Sequence, residues 1–163
     1  MSLSKQFTEQ MRALAAEDDR APVSEVTVGP LRVRVSDIDR HSATLEELTL
    51  EATVPANVDS REYLSGRAAA VTRRLSFLEE PLAVWELDGS EGVAQVRSNP
   101  PQREGEEISY WEVQIHTAEQ PTASMGRYRW TPDMTERETV PYPATFSQLG
   151  RIAEALEAAL NEE

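Results

Sequence analysis

One short segment, residues 37–41, has the residue types and spacing of a metal site. Asp37, Asp39 and His41 occupy alternate positions there. Alternate side chains of an extended chain point to the same side, so two carboxylates and an imidazole could hold a divalent cation. The alternative is a polar turn between two strands, in which aspartate side chains accept hydrogen bonds from neighbouring backbone N–H groups.

A second candidate site lies on two predicted strands in the C-terminal half of the chain. Glu112, Gln114 and His116 share one side of their strand, and Arg127 and Arg129 share one side of the next strand. If the two strands pair as a hairpin, we expect one polar surface that binds an anionic ligand or supports acid–base chemistry. The alternative is a set of cross-strand ion pairs on a solvated sheet face, which requires no function.

The predicted second helix is unusually basic for this chain. It contains Arg61, Arg67, Arg73 and Arg74. Arg67 and Arg74 are two helical turns apart and therefore share one flank. This flank could bind an acidic segment, including the acidic N-terminal helix of a second copy. The favoured alternative is pairing with carboxylates of the same chain.

The first predicted helix, over residues 2–18, is amphipathic. Leu3, Phe7, Met11 and Leu14 form one narrow apolar stripe at helical spacing. The stripe could pack on the core of this domain or on a partner chain, and the second alternative predicts a homodimer.

The three tryptophans and four tyrosines could line a ligand cavity. The alternative is that they fill the core, because the chain contains only three phenylalanines. These aromatic residues are Trp85, Trp111, Trp130, Tyr63, Tyr110, Tyr128 and Tyr142.

Several chemistries are excluded by what the sequence lacks. Without cysteine there is no disulfide, thiolate nucleophile or cysteine-bound zinc. There is no glycine-rich phosphate loop, nucleotide-binding fingerprint or nucleophile-elbow motif, and only two histidines are present. We therefore predict no catalytic residue and no cofactor, and we expect a protein that is not an enzyme.

The charge of the chain restricts its partners and its location. The 29 acidic and 16 basic residues give a formal net charge of −13, which repels phosphate backbones and anionic membranes. We expect neither nucleic acid nor a membrane as a partner, since the sequence also lacks a long apolar span and a signal peptide. The absence of cysteine suits a reducing cytoplasm, and the excess of arginine over lysine is typical of a GC-rich bacterial genome.

Hydrophobic periodicity predicts a single α+β domain over residues 1–163. About six strands and three helices follow the order α-β-β-α-β-β-β-β-α, and such an order favours a largely antiparallel sheet. Two helices begin with capping-box pairs, Asp59 with Glu62 and Thr145 with Gln148. The predicted helices cover residues 2–18, about 59–78 and 145 onward.

Two smaller features concern the strands. Leu45 is out of phase with Leu48 and Leu50, which predicts a β-bulge near Glu46 and Glu47. The tripeptide Thr-Val-Pro occurs at 53–55 and again at 139–141, each time before a predicted helix. A duplicated β-β-α unit with an inserted hairpin would explain this repeat, and chance is the alternative.

In size, acidity and order of predicted elements, the chain resembles the small acidic type III secretion chaperones. That resemblance implies a protein that binds unfolded segments of other proteins. With no catalytic motif present, we predict a non-enzymatic interaction or adaptor domain, expected to form a homodimer. The competing prediction is a binding protein or enzyme for a small anionic molecule that uses Glu112, His116, Arg127 and Arg129.

Overall fold

Three helices form in the computed structural model, which describes residues 1–53 and 58–162. They are α1 (Leu3–Ala15), α2 (Ser60–Arg74) and α3 (Phe146–Leu160). Asp59 caps α2 by accepting the N–H of Glu62, and Thr145 with Gln148 forms a complete capping box on α3. None of the helices in these residues has the length and apolar character that a bilayer crossing requires.

The strands form one antiparallel sheet. They are β1 (Val23–Val28), β2 (Leu31–Ser36), β3 (Ser42–Glu51), β4 (Leu82–Asp88), β5 (Val93–Ser98), β6 (Gln102–Glu104), β7 (Glu107–His116), β8 (Thr122–Trp130), β9 (Glu138–Thr139) and β10 (Tyr142–Thr145). The main path runs β1-β2-β3-β8-β7-β5-β4, with β10 beside β3, β6 beside β7 and β9 beside β8. The predicted α+β class with a large antiparallel sheet is confirmed.

The sheet has more strands than predicted, because short strands form where the sequence does not alternate clearly. These additional strands, β6, β9 and β10, are only two to four residues long. The predicted bulge in β3 is confirmed. Arg34 pairs with Glu47 and Val35 pairs with Leu45, so Glu46 has no cross-strand partner in β2.

The helices cover one face of the sheet, where alternate apolar residues of the strands join the helices in a single core. Leu3, Phe7 and Met11 of α1 are buried in this core, and Leu14 packs against it. The alternative that this stripe docks on a partner chain is therefore wrong, because α3 and β1 of the same chain already cover it. The opposite face, called the outer face below, carries mostly polar side chains.

The central strands β3 and β8 separate along their length. They pair through Leu48–Glu51, whereas β10 pairs with the other end of β3 and β9 with the other end of β8. In the sheet, β2 lies beside β3 and β7 lies beside β8, so each central strand is flanked by the strand that precedes it in the chain. A duplicated β-β-α unit predicts this arrangement. Val54 and Pro55 of the first Thr-Val-Pro lie outside the described residues, so the duplication stays a prediction.

Gly150 permits the close crossing of α1 and α3. A β-carbon at Gly150 would lie 3.0 Å from the β-carbon and 3.2 Å from the α-carbon of Ser4. Gly150→Ala is expected to lower the free energy of unfolding by about 1–3 kcal/mol through this overlap. Gly66→Ala in α2 is the control, because no atom lies within 4 Å of its β-carbon position. Alanine there should stabilise the helix by about 0.5–1 kcal/mol.

Urea denaturation of both variants measures this difference. Stabilisation of similar size by both substitutions would contradict the packing of α1 on α3 at this point.

Candidate functional site

The register of the β7–β8 hairpin divides the polar set predicted on these strands. Trp111 lies opposite Arg127, and Ser109 lies opposite Arg129. Residues opposite each other share a face, and Trp111 belongs to the buried core. Both arginines are therefore on the helix side, whereas Glu112 and the other two members of the set are on the outer face. The expected single polar surface is wrong, although the predicted hairpin forms.

Glu112 is the centre of a hydrogen-bonded cluster on the outer face. Its side chain is 1% exposed. Arg97 Nε donates to Oε1 at 2.7 Å, and Arg137 Nη1 and Nη2 donate to Oε1 and Oε2, each at 2.6 Å. Gln114 Nε2 donates to Oε2 at 3.0 Å, and the ring of His116 lies 3.3 Å from the Gln114 carbonyl oxygen. Both carboxylate oxygens are thus occupied.

The electrostatics of this cluster keep Glu112 ionised. Burial acts to raise the pKa of Glu112, but the hydrogen bonds and charges of Arg137 and Arg97 outweigh burial and hold the pKa below its ordinary value. The same contact with Glu112 raises the pKa of Arg137 above its ordinary value. A carboxylate that is ionised and fully hydrogen-bonded lacks both the proton of a general acid and the free oxygen of a general base.

Aromatic rings hold the two arginines of the cluster in a line across the sheet. The Arg97 guanidinium carbon lies 5.3 Å from the ring centre of Trp85 and 5.0 Å from that of Tyr110. The Tyr110 and Tyr128 ring centres are 6.2 Å apart, and Arg137 lies 3.8 Å from the ring centre of Tyr128. We call these five residues the aromatic–arginine row. Each cation–π contact contributes about 0.5–1 kcal/mol at a partly exposed site.

A β-bulge exposes the end of the aromatic–arginine row. Val84 pairs with Val96 and Glu86 pairs with Gln95, which leaves Trp85 without a partner in β5. Trp85 is 58% exposed and Val84 is 46% exposed. In the described part of the chain β4 pairs with β5 alone, so these two apolar side chains lie on an edge strand.

Gly126 provides room for the ring of Tyr128 on the outer face. It lies opposite Glu112, and a β-carbon at Gly126 would approach the Tyr128 hydroxyl oxygen to 3.3 Å. The absence of a side chain therefore allows the Tyr128 ring to lie flat against the sheet beneath Arg137.

Arg127 has a structural contact on the helix side of the sheet. Its Nη1 and Nη2 donate to the two carboxylate oxygens of Glu80 at 3.1 and 2.8 Å, and Nη2 also donates to Gln102 at 3.1 Å. The guanidinium carbon lies 5.4 Å from the ring centre of Trp111. Arg129 is paired with carboxylates as well, those of Glu107 and Glu138. Neither arginine has an uncompensated charge for an anionic ligand.

The segment 37–41 forms a turn and not a metal site. Asp37 has a left-handed backbone (φ 45°), and the Asp39 N–H donates to the Ser42 carbonyl oxygen at 2.8 Å. This geometry breaks the extended alternation that a shared ligand position for Asp37, Asp39 and His41 would need. Within residues 1–53 and 58–162, no three carboxylate or imidazole side chains come together in a metal-binding arrangement.

The arginines of α2 mostly contact their own chain. Arg73 and Arg74 both pair with Glu162, with Arg74 Nε at 2.8 Å from Oε2. The Arg67 guanidinium carbon lies 5.1 Å from the ring centre of Tyr63. Arg67 and Arg74, the pair that could bind a partner, thus both have contacts within the chain. For Arg74 the contact is with a carboxylate of the same chain, as the favoured alternative predicts.

The two arginines that complete the site have no signal in the sequence. Arg97 lies on β5, and Arg137 lies in the irregular segment between β8 and β9. No local spacing links either residue to Glu112. The sequence does carry a signal for the edge strand at the end of the site. Trp85 lies in a mostly apolar strand that ends in an Asp-Gly turn, and this pattern is compatible with an edge strand.

Comparisons with family models, curated proteins and solved structures give no match to this chain. The resemblance to secretion chaperones therefore rests on size, acidity and element order alone.

Proposed function

We propose that this chain is a non-enzymatic interaction domain that binds a partner protein on its outer face. The observation that carries the proposal is the aromatic–arginine row, whose two guanidiniums share the buried carboxylate of Glu112. Arg97 lies between the rings of Trp85 and Tyr110, and Arg137 lies over the ring of Tyr128. Tryptophan, tyrosine and arginine are the residues most enriched at the energetic centres of protein interfaces.

The contacts that engage each side chain of the row support a role in binding. Side chains that are already ordered lose less conformational entropy when a partner covers them. Trp85, the exposed end of the row, lies at the free edge of β4, where an extended segment of a partner could add hydrogen bonds to the sheet. This mode of binding agrees with what the resemblance to secretion chaperones implies. The lack of cysteine favours a cytoplasmic site of action.

The competing function, an enzyme or binding protein for a small anionic molecule on the same strands, is not favoured by any contact. Glu112 is saturated with hydrogen bonds, and Arg127 and Arg129 are paired with carboxylates on the opposite side of the sheet.

A photo-crosslinking amino acid at Gln95 tests the proposal, because Gln95 adjoins Arg97 on the outer face. We expect a discrete cross-linked protein in cells of the source organism. The matched control carries the same amino acid at Ala69, which is exposed on α2 on the helix side. A product at twice the 18.2 kDa chain mass would identify the partner as a second copy. Equal products from both positions, or none from Gln95, would contradict the proposal.

A further inference from the structure

An open pocket of about 570 Å³ lies between the C-terminal end of α1 and the turn from β2 to β3. Its polar lining includes Arg12, Arg20, Arg40 and His41, and Ala15 and Ile38 contribute apolar surface. Small-molecule sites have volumes of roughly 300–1,000 Å³ and combine apolar surface with a few polar groups. The pocket is separate from the outer face and from the aromatic–arginine row.

The charge of this pocket is opposite to that of the chain. Three guanidiniums line it, whereas the only carboxylate in its lining is that of Asp39. Among the described residues, no carboxylate lies within 4 Å of any of the three guanidiniums, although the whole chain has 29 acidic residues. Asp39 Oδ1 instead accepts the backbone N–H of Arg40 at 2.7 Å. With three guanidiniums and one carboxylate, the lining carries a net formal charge of +2, and none of its arginines is engaged in an ion pair in the described residues.

Neutral hydrogen-bond partners hold one of these guanidiniums in place. Arg20 Nη1 donates to the carbonyl oxygens of Ala15 and Glu17 at 2.9 and 2.6 Å, and Nη2 donates to that of Ile38 at 3.1 Å. The bond to Ala15 satisfies the last carbonyl of α1, and the bond to Ile38 connects the end of the helix to the turn. Carbonyl groups orient the guanidinium but leave its formal charge uncompensated.

We propose that this pocket binds a small organic anion that carries phosphate or carboxylate groups. Arginine donates two parallel hydrogen bonds to either group, and Arg12 and Arg40 are exposed and able to close around a ligand that Arg20 orients. The apolar side chains of Ala15 and Ile38 would contact the carbon skeleton of the ligand. The segment 37–41, whose sequence predicted a cation site, therefore contributes to a proposed anion site.

Isothermal titration with pyrophosphate and with citrate, at fixed ionic strength because salt screens such contacts, tests the proposal. We expect saturable binding of at least one anion and a Kd at least tenfold weaker for the Arg12→Ala/Arg40→Ala double variant. Binding of only one of the two anions assigns the recognised group. Arg103→Ala is the control, since Arg103 is exposed on β6 and no ion pair engages it in the described residues. It should bind like the wild type.

Three outcomes would overturn the inference. They are no saturable binding of either anion, equal binding by the double variant, and a melting temperature that rises with Mn²⁺, Zn²⁺ or Ca²⁺ but with neither anion. Because Arg12 and Arg40 are exposed, thermal melts without ligand should coincide for all variants.

Discussion

Glu112→Ala is expected to lower the free energy of unfolding by about 3 kcal/mol, because the substitution removes the shared counter-ion of Arg97 and Arg137. The side chains of these arginines are only 23% and 27% exposed, so water replaces the lost contacts incompletely. Urea denaturation should give a lower midpoint with an unchanged slope.

Glu107→Ala is the matched control for this prediction. Glu107 lies on the same strand and also pairs with an arginine, Arg129, but the two side chains are 33% and 36% exposed. An exposed pair contributes about 0–1 kcal/mol, so the control should lose little stability. Equal losses for the two variants would contradict the role assigned to the Glu112 cluster.

The pH dependence of the isosteric variant Glu112→Gln separates charge from shape. The pKa of Glu112 is lower in the folded protein than in the unfolded chain, where it is near 4.3. Its contribution is therefore complete above about pH 4.3 and is lost as the pH falls through the folded-state pKa. We expect the difference in unfolding free energy between wild type and Glu112→Gln to shrink from pH 7 to pH 2.5. A constant difference would show that the charge of Glu112 does not stabilise the fold.

Arg127→Met should destabilise the protein by about 3–5 kcal/mol, because it leaves the Glu80 carboxylate partly buried without a counter-ion. The side chains of Arg127 and Glu80 are 8% and 18% exposed. The double variant Arg127→Met/Glu80→Gln should recover part of the loss, because it also removes the orphaned charge.

Arg129→Met provides the comparison on the same strand. Its two ion pairs are at the surface, so we expect a loss of about 1 kcal/mol or less. An Arg127→Met variant that is no less stable than Arg129→Met would contradict the buried contact. If Arg127→Met does not fold, recovery of a folded double variant still tests the pairing.

The fold class was predictable because its signals are local. Helical spacing, capping pairs such as Thr145 with Gln148 and the phase break at Leu45 each depend on a few neighbouring residues. The short strands β6, β9 and β10 were not predictable, because pairing with a neighbouring strand specifies them and their own sequences do not alternate.

Only part of the candidate site was predictable, because the register of the strands decides which side chains share a face. Shifting a strand by one residue exchanges its two faces, and the sequence does not specify the register of β7 against β8. Glu112 was identified, but Arg127 was assigned to the wrong face, and Arg97 and Arg137 reach Glu112 from distant segments. The backbone of Asp37, with φ of 45°, likewise depends on the turn and not on residue type.

The central claim, that the aromatic–arginine row is a binding surface, is tested most directly by the cross-linking yield at Gln95 after Trp85→Ala. An interface anchor of this kind contributes about 2 kcal/mol or more, so the yield at limiting partner concentration should fall at least tenfold. Val58→Ala is the control, because Val58 is an apolar side chain that is 46% exposed but lies just before α2, outside the sheet. It should retain the wild-type yield. An undiminished yield for Trp85→Ala, or equal losses for both variants, would contradict the claim.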